Sequence, residues 1–214
     1  MANRYGPRIV TDGLVMCLDA ADKNSYPGSG ATWYDLSGNG YNGTIVGTVP
    51  HGNGVFTLPK TVGNYINVTG INLSTTNHTI MGASRYVTLG GRVFSGGANN
   101  WLMGHWSNST MKYYANGWVT DTSGTEQSDT KWRIYAGLGN YSSDLWTFYV
   151  NGELDTGPNG GGVNGPNQFS IGRYYGSNGE YSNAQIGFLL AYNRVLQDWE
   201  IKQNYNMFRG RFGL

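Results

Sequence analysis

The four glutamates of this chain, Glu126, Glu153, Glu180 and Glu200, are the first candidates for acid–base chemistry. A glycosidase needs two carboxylates facing one scissile bond at a fixed separation. No Glu-x-Asp-x-Glu strand is present to project such a pair from one face. Glu153 falls at a hairpin tip and Glu200 in a helix, both ordinary places for solvated acids. Asp19 and Asp22 stand three apart where a loop begins, and Asp144 precedes a strand. No Gly-x-Ser-x-Gly elbow offers a nucleophile. His51, His78 and His105 lie far apart and lack metal-ligand spacing. His105, in Gly-His-Trp, reads as a histidine packed among aromatics. The glycine-rich stretches GGANN and TGPNGGG do not open a helix, so they read as turns rather than phosphate loops. The catalytic set is therefore empty, and the chain reads as a non-enzyme.

Two other constellations could bind. Trp101, Trp106, Tyr113, Tyr114 and Trp118 crowd a middle segment, and Tyr174, Tyr175 and Tyr181 a later one. Exposed flat rings beside Asn and Asp suit a carbohydrate: ring faces meet apolar C–H surfaces, and short polar groups bind hydroxyls. Trp101, Trp106, Trp118, Tyr174 and Tyr175 are the candidates for such a site. The same residue types also fill cores and subunit interfaces. The second constellation is WYDLSGNGYNG, residues 33–43. Asp35 and Ser37 can cap turn N–H groups while the glycines take positive φ. Asp35 with nearby carbonyls is also a candidate Ca²⁺ site, since hard cations take oxygen ligands. No other cofactor is indicated.

Short strands must position these residues. Residues 145–154, LWTFYVNGEL, place Trp146, Phe148 and Val150 on one strand face and supply Asn151-Gly152 for a tight turn. In the strand near residues 186–192, Ile186, Phe188, Leu190 and Tyr192 share a face by the same alternation. A hairpin is expected from 111–114 and 117–120 around Ala115-Asn116. Residues 156–167, TGPNGGGVNGPN, read as the most flexible loop. One convincing helix, 196–208, starts at Gln197 or Asp198, sets Ile201 and Tyr205 on one face, and stops at Gly210. Strands recurring every 8–12 residues with turn signals predict an all-β sandwich.

Composition agrees. The chain has 214 residues, enough for one sandwich domain, with 34 Gly, 14% aromatic and 13% charged residues. Ample apolar surface argues against disorder. A net charge of +1 gives no electrostatic case for nucleic acid or an anionic membrane. Cys17 is single, excludes an intrachain disulfide, and reads as a buried thiol. The first residues show no apolar signal-peptide core, so a cytosolic origin is expected.

WTFYVNGEL, then FSIGR, then AQIGFLLAYNRVLQDWEI resemble, in that order, the C-terminal half of a laminin-G-like jelly roll of the concanavalin A-like lectin/glucanase superfamily. WYDLSGNGYNG resembles that family's early D-x-SGNG element, and the likeness spans about residues 14–201. It implies an all-β jelly-roll sandwich of two antiparallel sheets with one short C-terminal helix. The superfamily's glucanase carboxylates are missing here, so hydrolysis does not carry over.

The ends carry a narrower resemblance. GPRIVTDGLVMCLDAADKNSYPGSGATWYDLSGNG and NYNMFRGRFGL resemble virion structural proteins of tailed bacteriophages. This implies a virion component assembled in the host cytoplasm: a capsid decoration, head-fibre or tail-associated protein. Its partners would be other virion proteins, further copies of itself, and possible host glycans. The chain then divides into an N-terminal arm (1–13), a sandwich (14–208) and a C-terminal tail (209–214). Arg4 and Arg8 of the arm, with Arg209, Arg211, Phe212 and Leu214 of the tail, are the candidate assembly contacts. The arm can lie on a neighbour or on the domain itself. A lectin-like module for host attachment is the alternative.

Overall fold

The structure is a computed structural model describing residues 8–120, 128–176 and 179–214; Arg4 falls outside them. Apolar runs between Gly and Asn turns form strands β1 (Leu14–Asp19), β2 (Thr32–Trp33), β3 (Gly43–Val46), β4 (His51–Gly52), β5 (Val55–Pro59), β6 (Tyr65–Asn72), β7 (His78–Thr88) and β8 (Phe94–Gly96). They continue with β9 (Trp101–Trp106), β10 (Ser109–Ala115), β11 (Arg133–Asn140), β12 (Leu145–Val150), β13 (Glu153–Asn159), β14 (Asn167–Ile171) and β15 (Asn183–Tyr192), followed by helix α1 (Asp198–Phe208). Two antiparallel sheets result. One has eight strands, ordered β13-β12-β11-β7-β15-β5-β4 with β1 also on β15; the other has seven, ordered β10-β9-β8-β14-β6-β3-β2. This is the all-β sandwich expected from the strand spacing.

The main core lies between the sheets. Trp146 and Phe148 from β12 meet Trp101 and Met103 from β9, Tyr113 from β10 and Phe169 from β14. Asn151 (φ 54°) and Gly152 (φ 75°) close the β12–β13 hairpin in the left-handed region, as the Asn-Gly pair requires. A second apolar cluster covers the outer face of the eight-stranded sheet. There Ile201, Tyr205 and Phe208 of α1 pack on Met81, Ala83, Ile134, Phe188 and Leu190. The helix thus occupies one outer face of the sandwich, and the aromatic residues described below lie on the other.

Strand β15 departs from simple alternation. Ile186 faces the main core, whereas Phe188, Leu190 and Tyr192 face the helix. The four do not share a face because the register shifts between Ile186 and Phe188, inserting Gly187 as a bulge. A bulge adds one residue and inverts every side chain beyond it. It also divides the strand's free edge: β5 pairs with Asn183–Ile186 and β1 with Phe188–Tyr192.

Other local expectations shift similarly. The middle segment turns twice: β9 joins β10 through Ser107 (φ 49°) and Asn108 (φ 71°), and the expected turn at Ala115-Asn116 follows, short, with Trp118 bridging Tyr114 and Val119 N donating to Tyr113 O at 3.1 Å. The segment 156–167 is partly ordered strand, since β13 reaches Asn159. Gly162 lies against the Trp146 indole, where a Cβ would overlap the ring carbons. Helix α1 opens at Asp198 with Gln197 as its N-cap, and Gln197 N donates to Glu200 Oε2 at 2.8 Å. Glu200 is a buried acid rather than a solvated one: Arg194 grips it through two nitrogens at 2.8 and 2.6 Å. That pairing holds its carboxyl below the usual range.

The C-terminal tail packs on its own domain. Helical turns continue through Arg209–Arg211, and Phe212 folds back into the second cluster, 9% exposed. Its ring lies 4.6 Å from Trp132 and 6.2 Å from Phe188. Leu214 packs against the same cluster. Arg211 is spent on an ion pair with Asp19 at 2.9 Å, while Arg209 remains exposed. The described part of the arm also stays at home. Arg8 O accepts Gln203 Nε2 at 2.7 Å, and Val10 N donates to Asn204 Oδ1 at 2.8 Å.

Candidate functional site

Half-exposed aromatics gather on the outer face of the seven-stranded sheet. In β9 alternation sends Trp101 and Met103 into the core and leaves Leu102 and Trp106 outside. In β10 the register sets Tyr113 against Met103 and Tyr114 against Leu102, so Tyr113 is buried and Tyr114 faces out. The chain then turns at Asn116 (φ 56°), and Trp118 bridges back to Tyr114. Trp118 meets Trp106 edge-to-face at 5.1 Å and Tyr114 at 5.0 Å. With Leu102, Asn100 and Arg92 these rings line an open cleft of about 210 Å³.

The glycine-rich loop is a support for this cleft. Val163 N donates to Ala115 O at 2.7 Å, bringing the loop against the turn before Trp118. Gly117 and Gly161 approach so closely that a Cβ on Gly117 would overlap Gly161 O. Only glycine tolerates that approach.

Arg92 fixes the other wall. Its side chain is 7% exposed; Nε donates to Glu180 Oε2 at 2.5 Å and Nη1 to Asn100 Oδ1 at 2.7 Å. Its guanidinium also lies 4.2 Å over the Tyr174 ring, and Tyr174 meets Tyr175 edge-to-face at 5.5 Å. The next residue back, Arg173, stacks 3.5 Å over Tyr65 while Nε donates to Ser170 Oγ at 3.1 Å. Rings and guanidinium groups therefore alternate from Trp118 to Tyr65 across this face.

Of the five aromatic candidates, Trp106 and Trp118 form the cleft, and Tyr174 and Tyr175 join it through Arg92. Trp101 does not. It is 0% exposed and packs against Tyr113 and Phe169, because five residues along a strand reverse the face shown by Trp106. The alternation that excludes Trp101 and admits Tyr114 was present in the sequence. Arg92, Asn100 and Arg173 carried no comparable signal, since long-range pairing brings them here.

Asp35 is committed elsewhere. Its carboxylate accepts backbone N–H groups from Cys17 (2.8 Å), Ser37 (2.9 Å) and Tyr41 (3.1 Å). Donors already meet both oxygens, so Asp35 organises the turn. Among the described residues no group of three His, Cys, Asp or Glu could hold a metal. Asp35→Asn should cost about 2 kcal/mol, the scale of lost bonds to a charged group. Urea unfolding with and without EDTA checks this. A wild-type midpoint that falls in EDTA would restore the cation reading.

The remaining reactive groups are shielded. Ser84 Oγ and His105 Nδ1 approach to 3.4 Å, but both residues are 0% exposed. Burial, reinforced by Arg133, pushes the His105 imidazole down to about 3, so it sits neutral in the core. Burial pushes the Cys17 thiol up to about 12, with Asp19 adding to the rise.

No family model matches the chain, and no curated protein matches it in sequence. Solved structures share its fold. The binding domain of Paraclostridial Mosquitocidal Protein 1 superposes with a TM-score of 0.67 at 17% identity, over 92% of this chain and 53% of that one. Domain 4 of AbnA, an extracellular arabinanase of Geobacillus stearothermophilus solved with arabinotriose, gives 0.63 at 17%, over 88% of this chain and 96% of that domain. Trypanosoma rangeli sialidase with sialic acid gives 0.65 at 14%, over 92% and 33%. The chain thus spans about half of the toxin domain, a third of the sialidase and nearly all of the arabinanase domain. The shared property is the fold, a jelly-roll-type β-sandwich.

Proposed function

We propose that this protein is a non-enzymatic carbohydrate-binding module whose ligand lies on the Trp106–Trp118–Tyr114 cleft. The observation that carries the reading is the cleft itself: three half-exposed rings edged by an amide and a guanidinium, on the sheet face opposite the helix. Ring faces suit the C–H faces of a pyranose, and Asn100 and Arg92 offer polar atoms at the edge. The neighbours lend support, since one was solved with arabinotriose and another, the binding domain of Botulinum Neurotoxin DC, with SialylT.

The resemblance to tailed-phage virion proteins supplies a setting. A module on the virion surface would attach to host glycans, and its partners would include other virion proteins and further copies. A purely structural role has less support, because Phe212, Leu214, Arg211 and residues 8–10 are engaged within the domain. A glycan array followed by titration calorimetry tests the reading. Trp106→Ala or Trp118→Ala should lower affinity at least tenfold, about 1.4 kcal/mol. Trp101→Ala is unsuitable as a binding probe because it empties the core. Absence of glycan binding by the wild type, or unchanged binding by both variants, would overturn the proposal.

A further inference from the structure

We propose that the glycan taken by this face is acidic, and that Arg173 grips its carboxylate. This rests on the carbohydrate-binding reading and adds a ligand class to it. The two arginines of the face differ in what they have left to offer. Arg92 uses Nε on Glu180 and Nη1 on Asn100, and its charge is cancelled by Glu180. Among the described residues Arg173 uses only Nε, on the neutral hydroxyl of Ser170. Among the described residues no carboxylate pairs with it, in contrast to Arg92, Arg133, Arg194, Lys202 and Arg211. Lys112, on the outer side of β10, is buried and already engaged. Arg92 and Glu180 cancel, whereas among the described residues the charge of Arg173 meets no carboxylate.

Geometry makes that charge usable. The guanidinium lies over the Tyr65 ring at 3.5 Å, and the Ser170 contact holds its Nε. With Nε occupied, the free edge is the Nη1/Nη2 fork. That edge matches the two oxygens of a carboxylate in a bidentate pair, and stacking leaves it exposed while ordering the side chain in advance. Arg173 is half-buried, which weakens solvent screening without closing the fork. Through Tyr174, its neighbour in sequence, it adjoins the Arg92 wall of the cleft. A sugar stacked at Trp106 and Trp118 would therefore extend toward a fixed cation.

Two matched pairs of probes test this on the full chain by calorimetry: oligogalacturonate against its methyl ester, and sialyllactose against lactose. The acidic member of at least one pair should bind about tenfold tighter, and the preference should shrink as salt is raised. Arg173→Gln should abolish the preference while retaining the weaker neutral binding, with an unchanged melting temperature as the folding control. Arg173→Lys should restore only part of it, because an ammonium lacks the fork. Equal binding of acidic and neutral partners, or a preference that survives Arg173→Gln, overturns the inference while Trp118→Ala still reports on the cleft. Binding of sulfated but not carboxylated sugars also overturns it. If no glycan binds, the carbohydrate reading fails and this inference falls with it.

Discussion

Replacing Phe212 by alanine is expected to cost about 3–5 kcal/mol, the range for emptying a buried phenylalanine site. Domains of this kind hold only about 5–15 kcal/mol in all, so removing residues 209–214 would bring the fold near its limit. The reason is where the ring sits. It lies on the bulge of β15, with its tip so close to Gly187 that a Cβ added there would overlap Phe212 Cζ. Gly187→Ala should therefore destabilise by about 1–3 kcal/mol through overpacking. The sharper expectation is their coupling. With Phe212 truncated, the new methyl has space, so the Gly187→Ala penalty should disappear in the double variant. Chemical denaturation of the four proteins measures it. Additive effects would mean that the ring does not rest on Gly187, and a truncated chain of unchanged stability would return the tail to the role of a docking arm.

That ring marks the boundary of what could be read from sequence. Local pattern specified β12 and the turn that follows it, because Trp146, Phe148 and Val150 alternate into Asn151-Gly152; the two register shifts of the β12–β13 pairing were not legible. It specified α1 for a similar reason, with Ile201 and Tyr205 one turn apart. Pattern failed where the chain adds a residue. Gly187 inverts the face of Phe188, Leu190 and Tyr192, and Met111 (φ 62°) accompanies another register shift in β10. Neither bulge changes composition, so neither leaves a signal in a hydrophobic count. The packing of the tail on its own domain was hidden for a different reason. RGRFGL looks like a free end until one knows that helix α1 delivers it to the edge of the second cluster. The binding face divides the same way: Trp106 and Trp118 were visible as residue types, whereas Arg92 and Arg173 matter through pairing across the sheet and had no local mark.

Lowering the pH from 7.5 to 5 is expected to remove about 4 kcal/mol of stability through His78 and His105, since each pH unit below the unfolded pKa costs about 1.36 kcal/mol per buried ring. Both are 0% exposed. His78 Nδ1 donates to Thr76 O at 2.9 Å, while Nε2 is buried without a partner and the ring lies beside Trp146 at 5.6 Å. Burial pushes His78 down from 6.5 to about 4, and burial with Arg133 pushes His105 from 6.5 to about 3. A folded value below the unfolded one means that the unfolded chain binds the proton first. Stability is then complete above pH 6.5, declines as pH falls below it, and stops declining only near pH 4 for His78 and pH 3 for His105. Asp129, held down to about 2 by its bonds to Arg133, acts lower: its contribution is present above 3.8 and is lost between there and 2, overlapping the last part of the His105 window. Above pH 3.8 the histidine effect is thus read without that of Asp129. Urea midpoints at half-unit steps should slope downward from pH 6.5, and His78→Gln should make the slope shallower whatever it does to the midpoint at pH 7.5. A slope unchanged in both His78→Gln and His105→Gln would show that these rings do not titrate on unfolding. Acid sensitivity would then have to come from the carboxylates, at lower pH.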